Sequence, residues 1–195
     1  MIEIEKKYSI DREKIRELIQ KAKFISKQEL VDIYYDSDDF KLTTKDWWLR
    51  NRNGKFELKM VNLGKKNSAV DRYKEINDER EICQFLEIQY KIPLIETLGE
   101  NDIKPFATIK STREKYKNGE FTLDFDITDF GYSICEIELM VDSETGAEAA
   151  VEKIEDFAQN NGLNSSRVRG KLVEYIYRNS PQHYRMLVEA GVVVE

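Results

Sequence analysis

The chain is poor in the residues that build most metal and redox centres. Of its 195 residues one is histidine, His183, and two are cysteine, Cys83 and Cys135. A single imidazole excludes a multi-histidine metal site and argues against histidine catalysis. His183 is expected at the surface of a short C-terminal helical stretch. The cysteines show neither metal-ligand nor redox spacing. Both read as small buried apolar residues with free thiols, a disulfide being the lesser alternative. Free thiols suit a reducing compartment.

A basic surplus is also missing. The 31 Lys and Arg against 37 Asp and Glu leave a net charge of −6, which argues against a general nucleic-acid binder. No apolar run approaches the roughly 20 residues that span a bilayer. The N-terminus carries charge from Glu3 onward and lacks an apolar signal core. A soluble, cytoplasmic protein without a membrane partner is expected, with a monomer favoured. Internal repeats, low-complexity tracts and long linkers are absent, so residues 1–195 read as one domain.

Charge is what the chain has in plenty: 35% of residues are Asp, Glu, Lys or Arg. Many of them alternate. Glu3, Glu5 and Lys7 open the chain, and Arg50/Arg52, Glu57/Lys59, Asp124/Asp126 and Glu136/Glu138 repeat the habit. Alternate residues of a strand share one face. Strands are expected over 2–10, 29–36, 69–76 and 132–142, with a hairpin about Asn53-Gly54 and another, 105–117 with 120–128, about Asn118-Gly119. Apolar residues at helical spacing predict helices over 11–23, 79–90, 145–161 and 170–178. Ser180-Pro181 opens one more. Asp11 and Asp78 are the expected N-caps of the first two. The stretch 93–103 reads as loose chain.

For any one strand, a charged alternation is most simply a solvated outer face. Here the charges segregate into carboxylate pairs and a basic pair, and polar residues such as Lys6 and Asn51 lie on the opposite faces. A closed antiparallel β-barrel with flanking helices accommodates both facts, since alternate residues then line a polar lumen. Arg forks suit phosphate oxygens. Clustered carboxylates suit a hard cation such as Mg²⁺, which is commonly shared between protein carboxylates and phosphates. The residue types therefore point to a metal–polyphosphate site in an α+β protein.

The same residues carry a resemblance. Glu3–Lys7 (E-x-E-x-K) resembles the opening motif of the CYTH superfamily, the triphosphate tunnel metalloenzymes. Further matching stretches are IYYDS at 33–37, DWWLRNR at 46–52, FELKM at 56–60, RYKE at 72–75, DFDITDFGY at 124–132, EIE at 136–138 and GKLVEYIYRNSPQHY at 170–184. Within the superfamily the chain looks most like the animal-type thiamine triphosphatases. The resemblance implies an eight-stranded tunnel barrel. It implies Glu3, Glu5, Glu75, Asp124, Glu136 and Glu138 as the acidic, metal-binding residues, with Mg²⁺ or Mn²⁺ as the ion. Lys7, Arg50, Arg52, Arg113 and Lys171 would hold the triphosphate together with Lys59, with Lys110 able to share the role of Arg113. Tyr34 and Lys59 match a catalytic pair, and Trp48 matches the aromatic residue against which thiamine packs.

Hydrolysis of a terminal phosphate is mostly positioning and electrostatics, which this residue set supplies. The leading expectation is a metal-dependent hydrolase converting thiamine triphosphate to the diphosphate. Inorganic triphosphatase activity is the nearest rival, because it needs no organic anchor. A noncatalytic polyphosphate- or nucleotide-binding module is the alternative from another class. Trp48 and Trp47 are adjacent, so a strand sends them to opposite faces; Trp48 shares the parity of Arg50 and Arg52.

Overall fold

The computed structural model describes residues 2–61, 73–142, 144–163 and 168–194. The described residues form eight strands: β1 (Ile2–Ser9), β2 (Lys23–Asp36), β3 (Trp47–Arg52), β4 (Lys55–Val61), β5 (Tyr73–Ile76), β6 (Lys104–Asn118), β7 (Phe121–Thr128) and β8 (Ser133–Val141). Six α-helices accompany them among the same residues: α1 (Arg12–Ile19), α2 (Glu79–Phe85), α3 (Leu94–Glu100), α4 (Ala147–Asn160), α5 (Lys171–Asn179) and α6 (Pro181–Glu189). The α+β mixture is as expected. Residues 69–72 of the strand expected over 69–76 lie outside the described residues.

Local chemistry explains the boundaries. Asp11 caps α1 by accepting from the Lys14 amide at 2.8 Å, and Asp78 caps α2 by accepting from Glu81 at 2.9 Å. Asn53 and Gly54 both take positive φ, 49° and 89°, which is the backbone that a tight two-residue hairpin between β3 and β4 requires. Helix α3 occupies the stretch read as loose chain. The helix expected over 79–90 ends already at Phe85; Pro93 stands as the N-cap of α3, and the apolar contacts of Leu94 and Leu98 hold that helix in place.

The strand order is β1-β8-β7-β6-β2-β3-β4-β5, and every pair whose register is described is antiparallel. This overturns the closed barrel. Strand β1 pairs with β8 and β5 pairs with β4, so among the described residues the two end strands form open edges. Closure was inferred because so many charges needed shelter. They are instead neutralised in place, by ion pairs between neighbouring strands of an open sheet.

The chain divides into two compact units: 1–29 with 63–72 and 110–171, and 30–62 with 73–109 and 172–195. In the first, Ile4, Tyr8, Leu123, Phe125, Cys135, Ile137 and Leu139 pack under Leu18 of α1 and Ala150, Ile154 and Ala158 of α4. In the second, Leu49, Phe56, Leu58, Met60 and Ile76 pack against Ile82 and Cys83 of α2 and Leu94 and Leu98 of α3. Each unit thus buries one sheet face beneath helices and keeps its charges on the other. Lys6, on the helix side of β1, reaches Glu155 of α4 at 2.5 Å. Both cysteines are buried free thiols, as expected.

Candidate active site

The charged face of the first unit is a lattice set by strand register. Lys7 of β1 stands opposite Glu136 of β8, Glu136 opposite Asp124 of β7, and Asp124 opposite Lys115 of β6. Directly opposed side chains lie close enough to interact, so this one row reads cation, acid, acid, cation across four strands. A neighbouring row places Glu5 opposite Glu138. Arg113, opposite Asp126, ties its own row to the first of these. Its Nε and Nη2 donate to Asp126 at 2.6 and 2.8 Å, Nη1 to Asp124 at 2.6 Å and Nη2 to Glu136 at 2.7 Å. Burial works against the Arg113 charge, yet Glu136, Asp126 and Asp124 outweigh it and hold the guanidinium well above its ordinary pKa.

Lys171 opens α5 and sends Nζ to Asp126 at 3.1 Å and to Ser111 at 3.2 Å. Lys7 pairs with Glu5 at 2.7 Å. The ion pairs among the described side chains of this face join five carboxylates (Glu5, Asp124, Asp126, Glu136, Glu138) to four cations (Lys7, Arg113, Lys115, Lys171). One of these acids is left short of partners. Asp124 is completely buried, and its Oδ1 has no hydrogen-bond partner among the described residues. Burial raises the Asp124 pKa against the pull of Arg113 and Lys115. A buried acceptor left unmatched is costly, and a hard cation is a partner that answers it.

Glu5, Glu136 and Glu138 can each offer an oxygen within 4.8 Å of the others'. Three such oxygen donors fit a divalent ion of the Mg²⁺ or Mn²⁺ type, and Asp124, with its orphaned oxygen, stands opposite Glu136 in the next strand. Glu3 lies in β1 opposite Met140, but its side chain lies outside the described residues. Lys110 is exposed, and its backbone amide bonds Asp129; it does not join the lattice.

The second unit repeats the device with different residues. Asp32 and Tyr34 of β2 stand opposite Arg52 and Arg50 of β3, and Trp48, Arg50 and Arg52 stand opposite Lys59, Glu57 and Lys55 of β4. Lys59 is opposite Glu75 of β5. Each candidate phosphate-binding cation has a carboxylate. Arg50 contacts Glu57 at 2.6–2.7 Å, Arg52 forks onto Asp32, and Lys59 pairs with Glu75. Burial opposes the charge of Glu75, but Lys59 outweighs it and lowers the Glu75 pKa. Tyr34 and Lys59 share this face from different rows and make no hydrogen bond to each other. The Trp48 indole N–H donates to Asp46 at 2.7 Å, and Asp46 itself sits at φ 61°.

His183 departs from expectation. It is buried, not exposed, stacked on Phe40 at 3.8 Å with Phe106 at its edge, and its Nε2 lies 2.8 Å from Thr43 Oγ1. Burial depresses its pKa to about 4. It touches none of the charged residues of the site and is a packing residue.

Two residues of the site escaped sequence reasoning. Asp32 shares the parity of Tyr34, and Lys115 that of Arg113, so the alternation that found their neighbours also marked them.

Comparison with known proteins supplies a frame for this geometry. The CYTH domain family matches residues 1–169. The thiamine-triphosphatase of Homo sapiens is 28% identical over 177 residues, covering 82% of this chain and 77% of that protein, and that of Macaca fascicularis gives the same figures. Among solved structures, PH1819 from Pyrococcus horikoshii OT3 superposes with a TM-score of 0.70 at 24% identity, covering 91% of this chain and 99% of its own. HpAC1 from Hippeastrum, whose structure was described with a dominant triphosphatase activity, superposes at 0.60 with 18% identity, covering 91% and 95%. Likeness to structures at such identity establishes the fold alone.

Proposed function

Because the chain belongs to the CYTH family, we propose that it is a metal-dependent triphosphatase, releasing the terminal phosphate of thiamine triphosphate. The observation that carries this is a carboxylate cluster beside anion-binding cations: Glu5, Glu136 and Glu138 with oxygens close to one another, Asp124 with its unmatched oxygen opposite Glu136, and Lys7, Arg113 and Lys171 paired with acids of the same face. These carboxylates, with Glu3, hold Mg²⁺ or Mn²⁺, and Glu75 adds a further acidic group. The ion, when bound, neutralises phosphate oxygens and favours ionisation of water.

The chain's own groups do the positioning. Lys7, Arg113 and Lys171 in the first unit bind phosphate oxygens, and so do Arg50, Arg52 and Lys59 in the second. Lys59 and Tyr34 handle the proton of the attacking water. Trp48 packs against the organic part of the substrate. The names of the curated relatives support the choice of thiamine triphosphate over inorganic triphosphate. A phosphate-release panel tests it, comparing thiamine triphosphate, inorganic triphosphate, ATP and a triphosphate-ended RNA with Mg²⁺ and with Mn²⁺. Fastest turnover on thiamine triphosphate is expected. Binding without phosphate release under either metal contradicts the enzyme reading, and preference for inorganic triphosphate contradicts the substrate.

A further inference from the structure

One cation on the first face has no role in that reading. Lys115 lies two residues beyond Arg113 in β6, so both project to the charged side. Its ammonium is 3.1 Å from Asp124 Oδ2 and 3.4 Å from Glu138 Oε2. Glu138 also belongs to the Glu5–Glu136–Glu138 group, and Asp124 carries the orphaned oxygen. Two acids that suit a divalent ion are therefore already shared with a lysine.

We propose that Lys115 is an internal competitor for the metal: its ammonium occupies Glu138 and Asp124 when no ion is bound, and sets how tightly the ion is held. This rests on the reading of those carboxylates as the metal site. Two effects act in the same direction. The ammonium compensates buried carboxylates in the metal-free protein, which would otherwise be under-neutralised. It also stands within a few ångströms of any cation sharing Glu138, where like charges repel strongly in a partly buried setting. Arg113 is a poor candidate for yielding its acids, since four hydrogen bonds to three carboxylates fix it. Lys115 has the longer contacts and a flexible stem, its side chain one-third exposed at 33%. It is the cation able to swing aside.

The test is Mn²⁺ titration by calorimetry with no phosphate present, on the wild type, Lys115→Met, Lys115→Arg and Glu138→Gln. Removing the charge is expected to tighten Mn²⁺ binding about tenfold, whereas Lys115→Arg, which keeps it, stays near wild type. Glu138→Gln is expected to weaken binding. If Lys115→Met fails to fold, Lys115→Gln reads the same quantity. Unchanged or weaker affinity in the folded charge-removed variant, beside a wild type that binds and a weakened Glu138→Gln, overturns the role of Lys115 alone. A wild type that binds no Mn²⁺, or a Glu138→Gln that binds as well, overturns the metal reading and this inference together.

Discussion

Arg52 and Asp32 meet through two parallel hydrogen bonds, Nε to Oδ1 at 2.6 Å and Nη2 to Oδ2 at 2.9 Å, and Asp32 is completely buried. Arg50 leans instead on Glu57, whose side chain is 22% exposed. The buried fork fixes the Arg52 guanidinium, whereas the Glu57 carboxylate can be given up to solvent or exchanged. Asp32→Ala is expected to cost about 3 kcal/mol in urea unfolding, as loss of one partner of a buried pair does. Glu57→Ala is expected to cost less than that, because its carboxylate is partly exposed and Asp32 still acts on Arg50. Equal costs would contradict the assignment of Asp32 as the residue that positions Arg52.

Trp48 is held by the Asp46 carboxylate at its indole nitrogen. If Trp48 is the aromatic platform for thiamine, Trp48→Ala loses about tenfold or more in kcat/KM on thiamine triphosphate, the scale of base–aromatic stacking energies. Inorganic triphosphate turnover should be nearly unaffected. Equal loss on both substrates removes the thiamine role from Trp48.

Lys59→Ala is expected to lower turnover by about two orders of magnitude or more if the ammonium group takes part in proton transfer with Tyr34. Steady-state assays under saturating metal provide the comparison. A variant that turns over like wild type disproves that role.

His183 gives the protein an acid sensitivity independent of catalysis. Its folded pKa, about 4, lies below the ordinary histidine value because the ring is buried between Phe40 and Phe106. The unfolded chain therefore binds the proton first, and stability falls as pH drops from about 6.5 toward 4. The loss over that window is about 3 kcal/mol from this residue. Thermal melts from pH 7 to 4 should show a shallower fall in His183→Gln than in wild type, and parallel curves would contradict it.

Strands were legible because period 2 is written in charge. The alternations at Glu5/Lys7, Arg50/Arg52, Asp124/Asp126 and Glu136/Glu138 fall within observed strands, and Asn53-Gly54 turns as such a pair should. That the sheet stays open was not legible. An alternation tells which residues share a face but not which strand lies beside which, and ion pairs such as Arg113–Asp124 depend on that second fact. Nor does it say how a charged face is neutralised. His183 was misplaced because it lies in a short C-terminal helix expected to be exposed; the useful signal was its i, i+4 spacing with Leu187, both buried on one side of α6. Lys115 and Asp32 carried the right parity and went unnoticed, since their importance lies in contacts across the sheet rather than along the chain.

Phosphate release from thiamine triphosphate, measured with Mg²⁺, then with excess chelator, then with Mg²⁺ restored, bears most directly on the claim that the carboxylate face holds a catalytic ion. Activity should disappear on chelation and return on restoration. Turnover that continues unchanged in excess chelator would contradict it.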